Sequence, residues 1–104
     1  QYKFNLFRSS DQESMKIGRG YITINDGELI INNQERFLNT GSKNLYDSLD
    51  AQVDENGIVT GYIEMDILGS KERVEYYDFK GEINKKIWGT SPDEEYFKIY
   101  MKFE

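Results

Sequence analysis

The sequence contains 19 Asp and Glu but no His and no Cys. Any chemistry it performs would therefore fall to carboxylates, tyrosines, serines and lysines. The missing residues exclude thiol nucleophiles, disulfides, zinc sites with Cys or His ligands and the Ser-His-Asp triad. They also remove imidazole as a general base near neutral pH. Asp47, Asp50, Asp54 and Glu55 cluster before an Asn-Gly pair, but Asp47, Ser48, Asp50 and Asp54 lack the spacing of a calcium loop. A weak calcium site at a loop stays open. Asp93, Glu94 and Glu95 are consecutive and would fan apart. A glycoside hydrolase needs two carboxylates about 5–9 Å apart across a cleft, and nothing in the sequence singles out such a pair. Ser9, Ser10, Ser14 and Ser42 have no visible activating base. The chain has no Gly-rich phosphate loop, no G-x-S-x-G and no dinucleotide fingerprint. The acids read as solvated faces, and no cofactor or metal is expected.

Aromatic residues are the feature that stands above background: 8 Tyr, 6 Phe and 1 Trp. The phenylalanines fall mostly on the expected core face. Tyr62, Tyr76, Tyr96 and Tyr100 instead share faces with Lys, Glu and Asp. A tyrosine presents an apolar ring with a polar end, which suits a protein- or glycan-binding surface. It equally suits cross-strand pairing on a half-wet sheet. Trp88, beside Gly89, is expected to plug one end of the fold or to line a pocket mouth. These five residues are the candidate binding positions.

The elements that must carry them are strands. Around Asn56-Gly57, Leu49, Ala51 and Val53 alternate with Tyr46, Ser48, Asp50, Gln52 and Asp54, while Val59, Gly61, Ile63, Met65 and Ile67 alternate with Thr60, Tyr62, Glu64 and Asp66. A period of two is the signature of a strand with one buried and one wet face. Asn56-Gly57 is expected to supply the positive φ angles of a tight hairpin, and Asn25-Asp26-Gly27 marks a second hairpin. Strands are expected over 2–8, 15–25, 28–33, 46–53, 59–67, 73–83, 86–90 and 96–103. A short helix over 42–50 is the alternative for that segment, since Leu45 and Leu49 are four apart. Ser91-Pro92-Asp93-Glu94 carries a capping-box pattern that allows at most one short helical turn. Gly20, Gly61, Gly81 and Gly89 lie inside strands, where glycines mark bends or close backbone approach.

The fold class expected is therefore all-β: a single antiparallel meander of about seven or eight strands, curled into a small barrel or half-closed roll. A length of 104 residues suits one domain spanning 1–104. The chain begins with Gln1 rather than Met, which suggests a processed product or an excised part of a longer protein. An open barrel would leave 2–8 or 96–103 as a pairing edge. No run of ~20 apolar residues could span a membrane. With 13 basic against 19 acidic residues and a net charge of −6, nucleic acid and anionic lipid surfaces are not expected as partners.

Asp78-Phe79-Lys80-Gly81-Glu82-Ile83, followed by Ile87-Trp88-Gly89-Thr90-Ser91-Pro92-Asp93-Glu94-Glu95-Tyr96-Phe97, resembles the closing strands of the small eight-stranded barrels in bacterial transferrin-binding-protein-like surface lipoproteins. Those barrels end with a Phe-x-Gly strand, an aromatic-Gly pair, a short acidic segment and a last strand. Tyr96-Phe97 stand where that family has paired glycines, and the likeness covers about a fifth of the chain. It implies a secreted, periplasmic or cell-envelope bacterial module that binds a partner without catalysis. The sequence thus points to a non-enzymatic binding or scaffolding module for a protein or glycan, with self-association open. The alternative is a small lipocalin-like carrier of an apolar ligand, which would need a cavity of about 300 Å³. A carboxylate-dependent glycan-active enzyme is the third reading.

Overall fold

The computed structural model describes residues 1–10, 13–37, 44–66, 74–92 and 97–104. They form eight strands: β1 (Tyr2–Ser9), β2 (Ser14–Asn25), β3 (Glu28–Arg36), β4 (Ser48–Val53), β5 (Ile58–Asp66), β6 (Val74–Glu82), β7 (Lys86–Thr90) and β8 (Lys98–Phe103). Each strand pairs antiparallel with the next, and β8 pairs back with β1 from Phe4↔Phe103 to Ser9↔Lys98. The sheet is a closed barrel, so neither terminal strand is a free edge. Closure satisfies the backbone groups that an open roll would have left exposed.

Alternation places the core as expected. Phe4, Leu6, Ile63, Met65, Tyr77, Phe79, Ile99 and Met101 point inward and are buried, as are Ile22, Ala51, Val59 and Ile87. Two bulges add curvature. Ile17 on β2 has no partner on β1, because Leu6 pairs with Gly18 and Phe7 with Lys16. On β3 an extra residue at Asn33–Gln34 opposes Gly20, and Asn33 takes a φ of 49°. A bulge bends its strand and raises the local twist that a small barrel needs. Gly61 serves the same end: its φ is 149°, and a Cβ there would drive into the Asp50 carbonyl and the Ala51 backbone of β4.

The turns follow two rules. Asp26 and Gly27 both have positive φ (50° and 79°), as a two-residue hairpin turn requires. At Asp54-Glu55-Asn56-Gly57 only Gly57 does, at 82°. The Gly57 amide donates to the Asp54 carbonyl at 3.0 Å, and the Asp54 carboxylate accepts from the amides of Asn56 (2.8 Å) and Ile58 (2.9 Å). The expectation of a tight turn with both Asn56 and Gly57 at positive φ is thus corrected. Asp54 caps a four-residue loop, and the spare residue lets Asn56 keep an ordinary φ.

The β3–β4 seam is the narrow join. Its ladder is the single pair Glu28↔Gln52, supported by a 2.7 Å bond from the Val53 amide to the Gly27 carbonyl. Leu45 fills the space beyond it. Its amide donates to the Gln34 side chain at 2.7 Å, and its side chain is buried against the position where a Gly18 Cβ would stand. This displaces the expected strand start from Tyr46 to Ser48. No helix forms over 44–50, because Leu45 is needed as an inward plug. The described part of the capping-box segment, Ser91 and Pro92, is not helical; Asp93 and Glu94 lie outside the described residues.

Candidate functional site

The outer wall of β7, β8 and β1 carries a row of rings. Antiparallel register places Trp88 opposite Tyr100 and Tyr100 opposite Phe7. All three have outward parity because Ile87, Ile99 and Leu6 point in. Phe7 and Tyr100 stack at 4.9 Å and 12°, and Trp88 leans on Tyr100 at 5.2 Å and 47°. The Lys86 ammonium sits 4.2 Å from the Trp88 ring centre and 4.6 Å from that of Tyr100. The Tyr100 hydroxyl shares a 3.1 Å hydrogen bond with Ser14. Phe37 extends the ring-and-cation pattern, lying 5.6 Å from both Lys16 and Arg19. Such packing is worth about 0.5–1.5 kcal/mol per ring pair, and cations over ring faces add a similar amount.

Trp88 is 41% exposed. It neither plugs the barrel nor lines a mouth, because strand parity sends Ile87 and Gly89 inward and Trp88 out. Tyr62 and Tyr76 stack on each other at 5.2 Å on the wall of β5 and β6. Desolvation, and then the neighbouring Asp78 carboxylate, raise the Tyr76 phenol above its ordinary value. The sequence candidates therefore fall into two groups, Trp88 with Tyr100 and Tyr62 with Tyr76. Tyr96 lies outside the described residues.

Sequence reasoning missed a third cluster. Arg8 donates to Glu75 through both Nε (2.8 Å) and Nη2 (2.7 Å), and Tyr77 donates its hydroxyl to the same carboxylate. The Arg8 guanidinium also lies 4.2 Å from the Phe97 ring centre. This bidentate pair joins β1 to β6, which are not neighbours in the sheet. It closes the barrel end where β1 leaves and β6 enters. The hydrogen bond to Glu75 holds the Arg8 guanidinium above its ordinary pKa. Burial raises the Tyr77 phenol far above its usual range, and the hydrogen bond to Glu75 adds to it. The signal was present in the sequence: Arg8 shares the parity of Phe4 and Leu6, and Glu75 that of Tyr77 and Phe79.

A shallow outer depression of about 290 Å³ is lined by Lys3, Arg19, Gly20, Tyr21, Asn33 and Glu35. Arg19 and Glu35 bridge within it at 2.6 Å. Among the described residues no three His, Cys, Asp or Glu side chains converge as metal ligands, and no helix is long and apolar enough to cross a membrane.

The fold and its walls define the class: a closed, eight-stranded, antiparallel up-and-down barrel with two ring clusters on its outer walls. No protein-family model, curated protein or solved structure matches the chain.

Proposed function

We propose that this barrel is a non-enzymatic binding module that engages an acidic protein surface through the Phe7–Tyr100–Trp88 row. The observation that carries the reading is an outward ring row, with Trp88 exposed and Phe7 and Tyr100 half-buried, bordered by Lys16, Lys86, Lys98 and Lys102, none of which enters an ion pair among the described residues. Trp and Tyr are enriched among the anchors of protein interfaces, and bordering lysines supply charge complementary to an acidic partner. The ring faces favour a protein over a glycan. Phe7 and Tyr100 cover each other, and Lys86 covers Trp88 and Tyr100, which leaves edges rather than an open platform for a sugar ring. The side chains of Phe4, Tyr77, Phe79 and Met65 pack the interior, so the outer wall rather than a lumen offers recognition area. The family resemblance of the closing strands supports a place in the secreted, periplasmic or cell-envelope part of a bacterium.

The test is binding of the wild type and of Trp88→Ala to an acidic protein and to neutral and uronate-bearing glycans, followed by calorimetry. Loss of acidic-protein binding in Trp88→Ala, with an unchanged far-ultraviolet spectrum, is the expected result. Glycan binding alone would replace the partner class. Binding that ignores Trp88 would refute the wall as the site.

A further inference from the structure

Resting on that reading, we infer that the acidic surface taken by the aromatic wall is the opposite wall of a second copy of this chain, so that barrels associate front to back. The argument starts from where the outward charges fall. Among the described residues, β7, β8, β1 and β2 with their flanking residues display Lys3, Lys16, Arg19, Lys86, Lys98 and Lys102 outward against two acids, Glu104 after β8 and Glu13 in the β1–β2 turn. The other half, β3 to β6, displays Glu28, Glu35, Asp50, Glu64, Asp78 and Glu82 against one outward lysine, Lys80. The closed strand order sets these halves back to back around the barrel. A net charge of −6 therefore conceals a basic wall and an acidic wall.

Most of these charges have no ion-pair partner among the described residues. Among the described residues, Arg19–Glu35 and Lys85–Glu82 bridge the two walls at their boundaries, and Lys3–Glu104 lies within the basic wall. Lys16, Lys86, Lys98 and Lys102 on one wall, and Glu28, Asp50, Glu64 and Asp78 on the other, enter no ion pair among the described residues. Each wall also has a ring cluster: Phe7, Tyr100 and Trp88 among the lysines, Tyr62 and Tyr76 among the carboxylates. A lysine from one copy can meet both a carboxylate and a tyrosine face on the next. Like walls repel, so the contact is heterologous rather than two-fold, and it leaves a free wall at each end of the assembly. With principal extents of 37, 27 and 22 Å, one wall offers more than the ~800 Å² per partner of a standard interface. Attraction that rests on exposed charge should weaken steeply once salt shortens the screening length from ~20 Å or more to a few ångströms.

The experiment is light scattering of the 104-residue chain across a concentration series in about 20 mM and about 500 mM salt. Two neutralised variants accompany it, Lys86→Gln/Lys98→Gln/Lys102→Gln and Asp50→Asn/Glu64→Gln/Asp78→Asn. Wild type should grow beyond one chain with concentration in low salt and return to one chain in high salt. Each variant alone should associate about tenfold more weakly. Mixed in equal amounts, they should form a species of two chains and stop, because each supplies the one wall the other lacks. A wild type that stays a single chain in low salt overturns the inference. So does association that both variants retain, or a mixture that behaves like either variant alone. If the chain stays single yet binds an acidic protein through Trp88, the second copy fails while the binding wall stands.

Discussion

Replacing Arg8 by Met tests the cross-barrel pair directly. Arg8 is 20% exposed and Glu75 5%, and two hydrogen bonds of 2.7–2.8 Å join them. Breaking a buried pair by removing one partner costs about 3–5 kcal/mol, because the remaining charge keeps its desolvation penalty without its counter-charge. Water reaches the guanidinium side of this pair, so the lower end applies, about 3 kcal/mol. Against a total stability of about 5–15 kcal/mol this is a large fraction. For a domain of this size it corresponds to a Tm lowered by about 12–24 °C. With a urea m-value of about 1.5 kcal/mol/M, the midpoint should fall by about 2 M with m unchanged. The double variant Arg8→Met/Glu75→Gln removes the buried Glu75 charge as well and keeps an acceptor for the Tyr77 hydroxyl. It should recover about 1–2 kcal/mol relative to Arg8→Met alone. If Arg8→Met costs less than about 1 kcal/mol, or if the double variant recovers nothing, the pair does not carry the weight assigned to it.

Tyr77 gives a pH prediction. Its folded pKa lies above the unfolded value of about 10, so the folded state holds a proton that the unfolded chain releases. The resulting stabilisation is fully present below pH ~10 and is lost as pH rises from there toward the folded value. Absorbance titration should find one tyrosinate of the eight forming last, together with alkaline unfolding, and Tyr77→Phe should remove that late step. Gly61→Ala places a Cβ into the β4 backbone at a φ of 149° and should destabilise by more than about 2 kcal/mol in urea titration; a near-neutral result would mean that β4 can move away. Leu45→Ala empties the plug of the β3–β4 seam and should cost about 2–5 kcal/mol. Faster amide exchange should accompany it at Val53, whose amide bond to Gly27 supports the single ladder pair there, while exchange on β1 and β8 stays as in wild type.

The alternation of apolar and polar residues determined the all-β class, the inward side of nearly every strand and the Asp26-Gly27 turn. Each of these depends on a period of two or on a local backbone angle, and neighbouring residues in the chain carry both. Phe4, Leu6, Ile63, Met65, Ile99 and Met101 could be placed inside from parity alone. The partners across the barrel could not, because they depend on register and closure. Arg8 and Glu75 are 67 residues apart, and only the strand stagger brings their ends to one mouth. Parity alone sends Trp88 outward, but only the pairing of β7 with β8 sets it beside Tyr100 and apart from Tyr62 and Tyr76. Charge behaves likewise: composition yields a net value of −6, but the division into a basic and an acidic wall exists only once β8 returns to β1, since a linear chain has no opposite sides.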